Sequence, residues 1–233
     1  MPETPTLASL VDEHPHAARV LERHGLDYCC GGAQRLDAAC ATAGIDPAAV
    51  LDAIAAEAPQ DPRPALWATM SPVELVDHVE RTHHRYLDAE LPRLAELAAK
   101  VRGVHGERHP ELVRIHATFT VLQEELEPHL RKEELVLFPL IRRLATSGEP
   151  VASPGETLRN PISVMLSEHD LAGELLAELR RLTEGYVAPA DACGSYRALY
   201  EGLEALEADT HLHVHKENNV LFPAVEALEA ARA

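Results

Sequence analysis

Apolar residues recur at intervals of three and four along most of this chain, a spacing that gathers them on one face of an α-helix rather than on alternate faces of a strand. Four long stretches carry the pattern, at about 71–102, 109–145, 157–184 and 191–230. The breaks between them, Gly103–His109, Ser147–Gly155 and Gly185–Ala190, are rich in Gly, Pro or small polar residues, which end helices. Ser71-Pro72 opens the first stretch with an N-cap residue and a proline at the first helical position. Four long helices with short connections predict an up-down-up-down bundle. Ahead of them, shorter patterns at 7–13, 16–24, 33–43 and 47–57 predict a small helical module, interrupted by Asp27-Tyr28-Cys29-Cys30-Gly31-Gly32. Three prolines in the seven residues 58–64 read as a linker. The expected organisation is all-α: a helical domain over 1–57, a linker over 58–64 and a four-helix bundle over 65–233.

The second and fourth long stretches repeat one another. His129-Leu-Arg-Lys132-Glu133-Glu-Leu-Val136-Leu137-Phe138-Pro139 returns 84 residues later as His213-Val-His-Lys216-Glu217-Asn-Asn-Val220-Leu221-Phe222-Pro223. The first and third stretches carry a fainter echo, because His84 and His169 lie 85 residues apart and precede the two motifs by 45 and 44 residues. The bundle therefore reads as a doubled helical hairpin.

Composition narrows the function. An apolar fraction of 46% is ample for a packed core, and aromatics at only 4% with abundant Ala, Leu and Glu favour helix over sheet. A formal charge of −17 argues against a nucleic-acid partner, since phosphate binding relies on clustered Lys and Arg. The chain opens with no charged-then-apolar leader pattern, and no apolar run reaches the roughly 20 residues that a bilayer span needs; no membrane partner is expected. Cys29, Cys30, Cys40 and Cys193 lack the spacing of a secreted disulfide framework, so a cytoplasmic location is expected. The fourteen histidines are the unusual feature.

Residues i and i+4 of a helix share a face one turn apart. His129 with Glu133, and His213 with Glu217, can each present an imidazole and a carboxylate to one interior point, and His84 and His169 can add one imidazole each. Four neutral nitrogens and two carboxylates suit two divalent ions, which bridging carboxylates hold about 3.5–4 Å apart. Imidazole and carboxylate without thiolate suit iron, with manganese left open; zinc takes fewer ligands, and magnesium or calcium more oxygens. The expected cofactor is two iron ions in a non-haem centre. His83 adjoins His84 and points elsewhere at 100° per residue. His211 and His215 flank His213 and are expected to face away, with alanine at either costing neither iron nor stability. His78, His105, His109 and His116 have no partner at ligand spacing. Glu125, one turn before His129, and Glu168, beside His169, are candidates for a place behind the ligands or along an access channel.

These motifs resemble the repair-of-iron-centres family of di-iron proteins, a branch of the hemerythrin-like superfamily, over nearly the whole chain. The family's Tyr-Cys-Cys-Gly-Gly signature stands here as Tyr28-Cys29-Cys30-Gly31-Gly32. Its bundle patterns stand as His84-x-x-x-x-x-x-Leu91-Pro92, His129-x-x-x-Glu133-x-x-x-x-Phe138-Pro139, Ser167-Glu168-His169-Asp170 and His213-x-x-x-Glu217-Asn218-Asn219. The resemblance implies a hemerythrin-like bundle whose iron ligands are His84, His129, Glu133, His169, His213 and Glu217, the set that spacing also selects, with both glutamates bridging. It further implies repair of iron–sulfur clusters damaged by nitric oxide or oxidants, with damaged iron–sulfur proteins as clients. Nitric oxide or dioxygen would be the small ligand, and nitric oxide would be bound or reduced at the iron.

Other readings stay open beside it. A hemerythrin-like oxygen or nitric oxide sensor or carrier would need no Tyr-Cys-Cys-Gly-Gly module, whereas a ferritin-like oxidase would expect Glu-x-x-His spacing, which is not the pattern here. Adjacent cysteines suit a single metal poorly and would strain a disulfide. Gly31 and Gly32 leave the backbone beside them accessible, so Cys29 or Cys30 is a candidate to receive iron or a nitrosyl group, or to supply an electron. The alternatives are two buried packing residues, or a module that mediates homodimerisation or client recognition.

Overall fold

The computed structural model describes residues 4–58, 65–147 and 157–231; six residues of the expected linker, 59–64, lie outside them. The described residues are helical, with no strand beyond one backbone bridge between Thr6 and Arg35. The N-terminal helices are α1 (Leu7–Glu13), α2 (Ala17–Arg23), α3 (Leu36–Ala43) and α4 (Pro47–Ala56). Thr6 caps α1 by accepting from the Ser9 amide, and Asp46 caps α4 by accepting from the Ala48 amide ahead of Pro47, each satisfying a donor that a helix start leaves open. Gly44 ends α3 in the left-handed region at φ 69°, where a side chain would be strained.

The four long stretches follow. The first runs α5 (Pro72–Val79), a π-helical turn π1 (Glu80–His84) and α6 (Arg85–His105). Ser71 and Glu74 open it as a reciprocal capping box, the Ser71 amide donating to Glu74 at 2.9 Å and the Glu74 amide to Ser71 Oγ at 3.4 Å. The second runs α7 (Glu111–Lys132), π2 (Glu133–Leu137) and α8 (Phe138–Ser147); the third is α9 (Arg159–Leu182); the fourth runs α10 (Gly194–His215), π3 (Lys216–Leu221) and α11 (Phe222–Ala230). No single helix among the described residues is long and apolar enough to cross a membrane.

The chain forms two compact units. One comprises Val79–Leu140 and Arg159–Thr210, and we call it the bundle unit. Its core interleaves Leu87, Leu91 and Leu94 of α6, Phe119 and Leu122 of α7, Leu176 and Leu179 of α9, and Tyr196, Leu199 and Leu203 of α10, all buried. Arg180 grips Glu207 at 2.5–3.1 Å through three hydrogen bonds, tying α9 to α10 with a charge-assisted fork.

The other unit, here the N-terminal unit, comprises Met1–His78, Ile141–Leu158 and His211–Ala233. Its core joins Leu7, Val11, Val20, Leu21, Leu36, Cys40, Val50 and Ile54 to Val214. Trp67 Nε1 donates to Asp12 at 3.0 Å, and the Lys216 ammonium sits over the Trp67 ring at 4.5 Å, a cation–π contact on the segment that carries Glu217.

Candidate metal centre

Three of the expected ligands sit on π-helical turns: His84 ends π1, Glu133 opens π2 and Glu217 is the second residue of π3. A π turn is wider than an α turn and is commonest at functional sites. Pro139 and Pro223 follow π2 and π3 as the second residues of α8 and α11. In an unbroken α-helix each would clash with the carbonyl four residues earlier, and no amide would be left to bond it. Those carbonyls belong to Leu135 and Asn219, inside the π turns, where the ladder is already shifted. Proline alone does not force the change, since Pro92 and Pro128 lie within α6 and α7.

In the bundle unit, His84, His129, Glu133 and His169 converge, each no more than 3% exposed. His84 Nε2 lies 3.4 Å from Glu133 Oε2, His129 Nε2 lies 3.4 Å from Glu133 Oε1, and the Nε2 atoms of His129 and His169 are 3.1 Å apart. One ligand atom from each of His129, Glu133 and His169 lies within 4.8 Å of the others. Carboxylates behind the rings fix their orientation. Glu134 holds His84 Nδ1 at 3.0 Å, and Glu168 holds His129 Nδ1 at 2.9 Å while also pairing with Lys132. An imidazole whose Nδ1–H donates to a carboxylate presents the Nε2 lone pair, the arrangement that metal-binding histidines use. The His84 ring also stacks on Phe138, with centroids 5.5 Å apart. The fit to a first-row cation is good: two nitrogens about 2.1 Å from one ion at a right angle would be about 3.0 Å apart, and a cation offsets the cost of burying the Glu133 carboxylate.

In the N-terminal unit, His213 Nε2 lies 3.3 Å from Glu217 Oε1, and both side chains are buried. The residues after Glu217 grip the thiol turn. Asn219 Nδ2 donates to the carbonyls of Cys29 at 2.9 Å and Tyr28 at 3.4 Å, and Asn218 Nδ2 to the Cys29 carbonyl at 3.4 Å. A Cβ at Gly32 would stand 2.5 Å from Asn219 Oδ1 and 2.6 Å from the Tyr28 carbonyl, so this approach requires glycine. Asp27 shapes the turn from within, accepting from the amides of Cys29, Cys30 and Gly31 at 2.9–3.0 Å. Cys29 is buried and Cys30 half-buried, with their sulfurs 3.9 Å apart. The hydrogen bond to Cys30, then burial and the negative charge of Cys30 and Asp27, push the Cys29 thiol far up; Cys29 stays protonated, leaving Cys30 as the accessible sulfur.

His83 turns to Asp209 at 2.9 Å, His211 to Glu22 at 3.5 Å, and His78 to the Lys216 ammonium at 3.0 Å. His215 is fully buried, with Nε2 3.0 Å from Asp12 and Nδ1 3.3 Å from the Tyr28 carbonyl. It therefore fixes the thiol turn, and the expectation that its loss leaves stability untouched does not survive this burial. Glu168 stands behind His129, whereas Glu125 is exposed on α7. The partners of Glu134, Asn218 and Asn219 were not legible in the sequence, although Asn218 and Asn219 stand in the quoted pattern. The available signal was their place directly after the expected ligand glutamate in each copy of the repeat.

Comparison with known proteins agrees with this chemistry. Residues 75–225 match the hemerythrin HHE cation-binding domain, and residues 3–58 match a domain of unknown function, DUF542. An iron-sulfur cluster repair protein YtfE of Enterobacter sp. (strain 638) is 38% identical over 226 residues, covering 96% of this chain and 97% of that protein. The protein of the same name from Escherichia coli O8 (strain IAI1) is 35% identical over 223 residues, with the same two coverages.

Proposed function

This chain belongs to the hemerythrin family and aligns from end to end with iron-sulfur cluster repair proteins, and from that premise we propose that it is an iron-sulfur cluster repair protein that holds two non-haem irons. The observation that carries the reading is the pair of histidines, His84 and His129, each locked by a carboxylate at Nδ1 and aimed by Nε2 at the buried Glu133. His169, His213 and Glu217 are the remaining residues that would hold iron. Iron held there would supply affinity for nitric oxide and electrons for its reduction. The protein's own residues hold the imidazoles in one tautomer, exclude water through the apolar core beside them, and keep two carboxylates in place as counter-charge.

The thiol turn gives the repair reading its second support. Cys30 lies on a turn bonded to the segment that carries Glu217, which fits a sulfur that accepts iron or a nitrosyl group, and a carrier of a diatomic ligand has no use for one. Elemental analysis after anaerobic reconstitution should give two irons per chain, and the reduced protein should change its optical spectrum with nitric oxide. One metal or none would sink the two-iron centre. With Cys29 and Cys30 both replaced by Ala, iron content should hold while repair of a nitric oxide-damaged cluster falls; full repair would leave the thiols a packing role.

A further inference from the structure

A second cysteine site lies outside this centre, within the bundle unit. Cys193 is exposed, and its carbonyl accepts from the Arg197 amide at 3.1 Å, which makes it the N-cap of the 22-residue helix α10. His105, the last residue of α6, reaches it with Nε2 3.2 Å from Sγ. His105 is 6% exposed, and its Nδ1 has no hydrogen-bond partner among the described residues. The sulfur is thus the polar group at which this buried ring is aimed. Tyr196 packs against the ring at 5.5 Å and so fixes it on the sulfur. Nearby charges are balanced: His109 lies between Glu111 and Asp191 at 2.9 and 3.1 Å, and Lys100 bonds Ser195 at 3.2 Å.

The two helix ends favour charge separation in one direction. The amides at the start of α10 face Cys193, and a helix start favours negative charge while a helix end favours positive charge. An exposed cysteine in such a setting is a nucleophile rather than a packing residue. The other three cysteines all belong to the N-terminal unit, so the bundle unit offers Cys193 no second thiol for an internal disulfide.

We propose that Cys193, activated by His105, is a site of S-thiolation by small disulfides. His105 Nε2 takes the thiol proton, and the sulfur attacks one sulfur of the disulfide. A bond to Cys193 forms as the original S–S bond breaks, and the departing thiolate takes the proton from His105. One disulfide becomes one mixed disulfide and one thiol, so no further oxidant is needed. The modification places a bulky polar group on the bundle surface, outside the proposed iron ligands.

The test uses the full-length protein with glutathione disulfide at neutral pH, with the modified cysteines mapped by mass spectrometry. Cys193 should be thiolated about threefold faster or more in the folded protein than in the urea-unfolded chain, since only the folded chain holds His105 Nε2 within reach of the thiol proton. His105→Gln, with helicity verified, should return the rate to the unfolded value. A folded rate no higher than the unfolded one overturns the proposal, and that comparison needs no variant. So does an unchanged rate in a folded His105→Gln protein, or modification confined to Cys30.

Discussion

Replacing Glu168 tests whether the carboxylates behind the imidazoles set metal affinity. Glu168 accepts from His129 Nδ1 at 2.9 Å and pairs with Lys132, and its side chain is 24% exposed. Burial alone would raise its carboxyl, but the bonds from Lys132 and His129 prevail and hold it below the usual range, so it is ionised at neutral pH. Glu168→Gln keeps the shape and an acceptor oxygen but removes the charge. Charge-assisted bonds are roughly twice as strong as neutral ones, so about half of the bond's contribution should go. Loss of such a partner costs about 10–100-fold in metal affinity; Gln should sit near tenfold, about 1.4 kcal/mol, and Ala nearer the upper limit. Anaerobic competition between the protein and a calibrated ferrous chelator reads this directly, with circular dichroism confirming the fold. Glu134→Gln should behave alike through His84, while Glu125→Gln on the exposed face of α7 should change nothing. Affinities within twofold of wild type for both Glu168 variants would refute the reasoning, as would an equal loss in Glu125→Gln.

The remaining predictions concern stability. Gly32→Ala should destabilise by about 1–3 kcal/mol, because its Cβ meets Asn219 and the Tyr28 carbonyl at 2.5 and 2.6 Å, whereas Gly173→Ala, with open space in α9, should gain about 0.5–1 kcal/mol; urea titration separates the two. His215→Ala should cost about 1–3 kcal/mol by removing its two hydrogen bonds, to Asp12 and to the Tyr28 carbonyl, and an unchanged unfolding midpoint would show that His215 does not hold the turn. The hydrogen bond to Asp191 raises the His109 titration above its ordinary value, with burial opposing and Glu111 assisting. Its stabilisation is therefore full below about pH 6.5 and is lost as pH rises through the raised value. The stability gap between wild type and His109→Gln should close as pH rises above about 6.5, and a gap that widens would reverse the sign of the argument.

Much of this was legible in the sequence because helices announce themselves by period. The expected stretches at 71–102, 109–145, 157–184 and 191–230 became chains of helix at 72–105, 111–147, 159–182 and 194–230. The four short N-terminal patterns returned as α1 to α4, and their caps, Thr6, Asp46 and Gly44, are residues whose local chemistry works without tertiary help. Four of the six expected ligands meet in the bundle unit, and the other two, His213 of α10 and Glu217 of π3, meet in the N-terminal unit. The π turns were not legible, because a one-residue shift of the hydrogen-bond ladder confined to five or six residues leaves the apolar spacing elsewhere unchanged. Nor were the partners of the ligands. Glu168 and His129 are 39 residues apart, and His84 and Glu134 50, contacts that only packing creates.

The two copies of the repeat keep the same ligands and differ where they touch their surroundings. At the ligand positions they agree, His129 and Glu133 matching His213 and Glu217, and at the proline positions they agree, with a π turn preceding each. The position before each glutamate is lysine, yet Lys132 is exposed and paired with Glu168, while Lys216 is buried over Trp67 beside His78. The two positions after each glutamate diverge in kind. In the first copy Glu134 fixes His84, and Leu135 is 75% exposed; in the second, Asn218 and Asn219 bind the backbone of the thiol turn. An amide suits that task where a carboxylate would not, because the partners are carbonyl oxygens and need a donor. A duplicated His-x-x-x-Glu frame has thus been kept alike and specialised beside it. One copy orients an imidazole; the other ties Cys29 and Cys30 to the segment that carries Glu217.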